Sequence, residues 1–126
     1  KMHHDMAAAE RHERLVAEVL GAIDRADSDA FLAALDEDCE FRFASSPALH
    51  GRAAIGAMLG ELLAATESIA HHCQDVWPTP GHVVVRGTVD YLFKDGTAKT
   101  VPFCDVWRLN EAGRIARYDI YCDMNV

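Results

Sequence analysis

Arg86, Asp105 and Tyr118 are the residues of this chain whose types and spacing point most directly to chemistry, because two hairpin turns bring them into one row across three strands. Asp95-Gly96 lies between two β-rich runs and reads as a two-residue hairpin loop. Pairing Lys94 with Thr97 sets Arg86 opposite Asp105, with both side chains on one face. The turn Asn110-Glu111-Ala112-Gly113 pairs Leu109 with Arg114 and sets Tyr118 opposite Asp105 as well. Flanking rows then hold Thr88, Phe103 and Ile120, followed by Asp90, Val101 and Cys122. A cation, a carboxylate and a phenol on an apolar strand face make either an acid–base or oxyanion site, or a structural ion pair with a satisfied phenol.

Each residue carries both readings. Asp105 is a catalytic acid or base, or it pairs with Arg86, whose guanidinium would lower the carboxyl pKa and keep spare donors for a ligand carbonyl or carboxylate. Tyr118 donates to an oxyanion or only satisfies Asp105. Asp90 is a general base if poorly paired and desolvated, or a solvated rim carboxylate. His71 and His72 point to opposite sheet faces. If the Pro78–Gly81 loop pairs Trp77 with His82, His71 and Cys73 face the pocket beside Thr88 and Arg86, and a one-residue slip substitutes His72. His71 with Asp90 or Asp105 forms a proton-transfer pair; alone it is a half-buried histidine bonded to a neighbour. A metal site of His71, Cys73 and Asp75 lacks the further convergent ligands zinc requires, so no metal and no cofactor is expected. Phosphate-cradling glycine loops and nucleophile–histidine signatures are absent from the sequence.

The elements that must position these residues follow from periodicity. A helix is expected from about Ala7 to Ala26, with Leu15, Val16, Val19, Leu20 and Ile23 on one stripe. Asp27 or Ser28 caps a short second helix through Phe31, Leu32 and Leu35, ending near Asp36. Cys39 to Ala44 alternates as a strand, with Cys39, Phe41 and Phe43 on one face. A third helix runs from about Arg52 to Ala65. Strands follow near Ser68–Trp77, His82–Phe93, Ala98–Leu109 and Arg114–Met124. Helices preceding a meander of long strands give an α+β layout, with helices covering one face of a curved antiparallel sheet.

The chain has 126 residues, half of them apolar, which suits one domain with a real core. A single domain over 7–126 is expected, with 1–6 disordered or tag-derived, so His3 and His4 are not candidate site residues. Twenty acidic against twelve basic residues give a net charge of −8. No basic stripe exists to meet nucleic acid, and anionic membrane surfaces are disfavoured. No apolar run approaches the ~20 residues of a membrane span, and no signal-peptide pattern is visible. Cys39, Cys73, Cys104 and Cys122 have no C-x-x-C spacing and read as free buried thiols in a reducing cytoplasm. In the register above, the opposite sheet face carries Val83, Val85, Val89, Tyr91, Pro102, Cys104 and Val106. So apolar an outer face points to an isologous homodimer.

Two segments resemble the nuclear-transport-factor-2-like superfamily, and within it the SnoaL-like polyketide cyclases and ketosteroid isomerases. They are Pro47-Ala48-Leu49-His50-Gly51-Arg52, and Asp105-Val106-Trp107-Arg108-Leu109 with Asn110-Glu111-Ala112-Gly113-Arg114-Ile115. The resemblance extends from about Leu15 onward and implies a cone-shaped fold, its sheet wrapped around three helices to leave a pocket. Asp105 falls where ketosteroid isomerases carry an aspartic acid kept protonated by an apolar site. Their general base would align with Phe43 and their helix tyrosine with Val19, so ordinary ketosteroid isomerisation is disfavoured. In limonene-epoxide hydrolases, which use an arginine and two aspartates around a water, Asp90 matches one aspartate while Thr88 and Ile120 replace the other two groups.

The resemblance implies a cofactor-free enzyme that moves protons on an apolar, carbonyl-bearing small molecule by isomerisation, cyclisation or dehydration. Asp105 with Tyr118 or Arg86 would stabilise the oxyanion, and Asp90 or His71 would carry the proton. Phe41, Phe43, Thr88, Phe103, Trp107, Ile120 and Cys122 would line the pocket. The alternative is a non-catalytic ligand-binding or accessory domain of the same fold.

Overall fold

The computed structural model describes residues 2–125, with side chains described from Ala7. The side chains of the stretch 1–6, expected to be tag-derived or disordered, lie outside that description; the α1 backbone begins at Met2. Helix α1 (Met2–Asp24) buries Val16, Val19, Leu20 and Ala22 along one face. It ends where Ala26 takes φ +58° and Asp27 N–H donates to Ala22 O at 2.8 Å. Asp27 then caps α2 (Ser28–Ala33), its Oδ1 accepting from Ala30 N–H at 3.0 Å.

Strand β1 (Leu35–Phe43) and the two-residue β2 (Leu49–His50) lead into α3 (Arg52–Ala65). The His50-Gly51-Arg52 motif is the joint between them. Gly51 adopts φ +84° and donates its N–H to Cys39 O at 2.9 Å, while Arg52 Nε donates to Leu35 O at 3.0 Å. Four long strands complete the chain: β3 (Thr66–Thr79), β4 (His82–Phe93), β5 (Ala98–Leu109) and β6 (Ile115–Cys122). The curved sheet runs β2-β1-β6-β5-β4-β3. All pairs are antiparallel except β1 with β6, a parallel pair that the meander alone did not predict. Helix α1 packs on β3 and α2, and α3 packs on β1. The core between these layers centres on Trp107, Tyr118, Phe31, Leu35, Ile55 and Ile115, all fully buried.

The β4–β5 register differs from the expected one by a single residue. Asp95-Gly96 does form the turn, but the loop is three residues long. Phe93 N–H donates to Thr97 O at 2.8 Å, Gly96 N–H returns to Phe93 O at 3.0 Å, and Gly96 sits at φ +91°. Asp95 Oδ1 secures the turn by accepting from Thr97 N–H at 2.9 Å. Asp105 is therefore opposite Val85, and Arg86 is opposite Cys104. A one-residue slip exchanges the faces of a whole strand. Val83, Val85, Val89 and Tyr91, expected outside, are buried in the core, whereas Arg86, Thr88 and Asp90 face away from it. The alternative would bury a guanidinium and a carboxylate while exposing four large apolar groups.

At the β5–β6 hairpin the turn pairs Leu109 with Ile115 in place of Arg114, and a bulge at Arg108/Leu109 adds one further residue, so the pairing is shifted by two in all: Trp107 meets Tyr118 and Ile120 meets Asp105. An even shift preserves the face, and Tyr118 stays on the same side as Asp105. A second bulge, between Cys73 and Asp75 on β3, folds over Gly87. A Cβ at Gly87 would stand 2.0 Å from His72 O, so only glycine fits there.

Candidate active site

Asp105 is the polar centre of the sheet's inner face. It is 2% exposed on β5, between Phe103 and Trp107 on the same side of the strand. Burial pushes its carboxyl up to about 8, against the opposing pull of nearby donors on Trp107 and Tyr118. That pull is incomplete: Oδ1 of Asp105 and Nε1 of Trp107 are both buried with no hydrogen-bond partner. At neutral pH the side chain is mostly the neutral acid, and so a hydrogen-bond donor. Tyr118 is held rigidly beside it by Trp107, Phe41 and Phe31, at ring separations of 4.9, 5.0 and 5.8 Å. Burial and the Asp105 carboxyl raise the Tyr118 phenol well above its ordinary value, so it too is a neutral donor.

Arg86 takes no part in this. It lies on the outer face, where Nε donates to Asp75 Oδ2 at 2.6 Å and the guanidinium sits 5.8 Å from the Trp77 ring centre. Asp90 also faces outward, accepting from Thr100 at 2.6 Å and bonded to His72 Nε2 at 3.0 Å. Those two hydrogen bonds lower its carboxyl pKa. Thr88 shares that face. The row of Arg86, Asp105 and Tyr118 is thus split between the two sides of the sheet. Cys73, expected to be a buried thiol, is exposed.

His71 does face inward, opposite Val89. Its partner is neither Asp90 nor Asp105 but Asp24, the last residue of α1. Asp24 Oδ1 meets His71 Nδ1 at 2.6 Å, and Oδ2 accepts from the His71 backbone N–H at 2.9 Å. Both carboxylate oxygens are committed to one residue, which fixes the ring. A carboxylate at Nδ1 selects the Nδ1–H tautomer and leaves Nε2 as a lone-pair acceptor. Phe103 packs edge-on against the imidazole at 5.5 Å. Asp24 was not visible as a site residue because it is 47 positions away in sequence and falls among the polar residues that end a helix.

His71, Asp105 and Tyr118 line one cavity of about 50 Å³, together with Phe41, Phe43, Phe103, Ile120 and Cys122 from the expected wall. Trp107 stands behind it in the core. An open apolar groove of about 840 Å³ adjoins the cavity between α3 and the sheet, bounded by Pro47, Leu49, Ala54, Phe93 and Met124. Phe41, Phe43, Met58, Leu62 and Tyr91 line both spaces and form the wall they share. Among the described residues, no three His, Cys, Asp or Glu side chains converge as a metal site requires, and no helix is long and apolar enough to cross a membrane.

The fold and these enclosed polar groups define an α+β domain with a cavity between sheet and helices. The SnoaL-like domain family matches residues 16–118, and the chain belongs to that family. Solved structures agree on the fold. An NTF2-like protein of unknown function from Burkholderia pseudomallei superposes with TM-score 0.80 at 22% identity, covering 89% of this chain and 90% of that one. An LEH-like epoxide hydrolase from M. tuberculosis gives 0.77 at 19%, covering 87% and 80%. The epoxide hydrolase/cyclase-like enzyme SalBIII, with a role in pyran ring formation in the polyether salinomycin, gives 0.81 at 18%, covering 92% and 93%. No curated protein matches the sequence.

Proposed function

We propose that the protein is a cofactor-free acid–base enzyme acting on an apolar, carbonyl-bearing small molecule. The observation that carries this reading is the pairing, in one apolar cavity, of a mostly protonated Asp105 with a His71 imidazole oriented by Asp24. The two groups have opposite tasks. His71 Nε2 takes a proton from the carbon next to the carbonyl, forming imidazolium. The Asp105 hydroxyl, aided by Tyr118, donates to the carbonyl oxygen as it becomes an enolate oxygen. Return of the proton to another carbon isomerises the substrate. Loss of a β-hydroxyl as water dehydrates it, and attack of the enolate on a second carbonyl closes a ring. A relevant comparison is the enzyme strategy of separating two titratable groups by environment, so that one is acid and the other base at the same pH.

The test needs no natural substrate. In D₂O, 2-tetralone should exchange its α-protons faster with the protein than in buffer, and Asp105→Asn and His71→Gln should each abolish the excess while keeping the fold. Wild-type exchange in both variants would refute the assignment. No excess with the native protein would instead support the second reading, a non-catalytic binding domain. The same reading places the chain in a reducing cytoplasm, where four free cysteines persist. It also makes the outer sheet face, with Val84, Pro102, Val106 and the exposed Trp77, the interface of a homodimer.

A further inference from the structure

Tyr91 is the one polar group on the wall shared by the inner cavity and the open groove that the acid–base chemistry does not use. Its ring stacks on Phe93 at 5.7 Å and 17°, and the residue is 7% exposed. Among the described residues nothing hydrogen-bonds its hydroxyl; burial and the neighbouring Cys122 and Asp105 push the phenol up to about 12, with no hydrogen bond contributing. The hydroxyl is not among the sealed, partnerless side-chain atoms of the core, so water meets it, and a ligand that displaces that water has to replace its hydrogen bond. The shared wall is otherwise apolar: Phe41, Phe43, Met58 and Leu62 complete it. A neutral donor therefore stands on the wall common to groove and cavity.

We infer that Tyr91 is a further substrate-binding residue, and that the substrate carries a second oxygen, a carbonyl or hydroxyl, placed outward of the carbonyl that reaches Asp105. This deepens the acid–base reading and rests on it. The geometry follows from the two volumes. The inner cavity has room for one polar group and its carbon, so the body of the ligand lies in the adjoining groove and runs past the shared wall where Tyr91 stands. An unfunctionalised skeleton at that point would leave the Tyr91 hydroxyl desolvated and unpaired, whereas an oxygen there accepts its proton. The substrate class is thus a dioxygenated apolar ring or chain, of which a hydroxy-ketone or diketone is the simplest form. Selectivity of this kind is strong because a site built to hydrogen-bond an oxygen rejects an analogue lacking it.

Naphthols supply the probes, since their acidic hydroxyl mimics an enol. The dissociation constants of 2-naphthol and of 1,3-, 2,6- and 2,7-dihydroxynaphthalene are measured by fluorescence for the native protein, Tyr91→Phe and Asp105→Leu. At least one diol should bind the native protein about fivefold or more tightly than 2-naphthol, the worth of one hydrogen bond. Tyr91→Phe should erase that gain and leave 2-naphthol unchanged, which also shows that the variant is folded. No diol gaining over 2-naphthol, or a gain that survives Tyr91→Phe, overturns the inference. Asp105→Leu reports separately on the underlying reading: unaltered 2-naphthol affinity there removes Asp105 from the site while the Tyr91 result stands by itself. Failure of every naphthol to bind sinks both.

Discussion

Replacing Asp105 by asparagine should make the protein's stability less dependent on pH, and the size of the change follows from its burial. The native carboxyl is pushed from 3.8 to about 8. At about 1.4 kcal/mol for each pH unit, the folded state favours the neutral acid by roughly 6 kcal/mol in all. That is a large part of the 5–15 kcal/mol that typically holds a domain together, so water entering on ionisation will trim the total. Between about pH 4 and 8 the folded chain keeps a proton that the unfolded chain has released, so stability falls as pH rises, by about 1.4 kcal/mol per unit mid-range. The contribution is fully present below about 4 and lost above about 8. The carboxamide of the variant cannot ionise, and the other groups largely cancel in the comparison. Urea titrations at several pH values should therefore show Asp105→Asn gaining about 3 kcal/mol on the native protein between pH 5 and 7. A difference that stays flat over that range would show that Asp105 is ionised in the folded state, and would remove the acid from the proposed mechanism.

Asp24→Asn should lower the rate of 2-tetralone exchange about a hundredfold or more with little change in affinity, because an amide NH₂ at Nδ1 favours the tautomer in which Nε2 carries the proton. An unchanged rate would show that Asp24 does not set the tautomer. Arg86→Leu should leave exchange within about twofold of native and cost under about 1 kcal/mol in stability, since its pair with Asp75 is half exposed; loss of activity would return Arg86 to the site. Gly87→Ala should destabilise by about 3 kcal/mol in denaturant titration, because the new Cβ meets the His72 carbonyl. A neutral result would mean that the β3 bulge relaxes easily. Val106→Arg should convert a dimer to a monomer in sedimentation equilibrium, and a native protein that is already monomeric at micromolar concentration contradicts the proposed interface.

Much of the architecture was legible because long apolar periodicities and caps act locally. The start and end of α3 and the limits of β4 and β5 fall where the pattern puts them. The site was less legible because it depends on register, which is a non-local property. The Asp95-Gly96 signal is correct as a turn, yet its length is decided by hydrogen bonds to Phe93 and Thr97 that composition does not specify. The alternation in β4 carried the better information. Val83, Val85, Val89 and Tyr91 share one parity, while Arg86, Thr88 and Asp90 share the other. Burial of the first set outweighs any turn preference. Parity also explains why Tyr118 kept its face despite a wrong partner, and why Arg86 did not.

The inner-face arrangement gives a reason for recruiting the base's carboxylate from a helix rather than from the sheet. A carboxylate next to Asp105 on the inner face would raise Asp105 further by like-charge repulsion, but would itself be desolvated and driven towards protonation. Asp24 avoids this. Its side chain at the end of α1 is partly exposed, at 28%, whereas the imidazole it holds is only 11% exposed. The carboxyl group thus keeps contact with solvent, and the imidazole it orients reaches into the cavity. Phe103 stands against that ring on the strand that carries Asp105. The proposed acid and base are thereby held on different elements with separate dielectric surroundings.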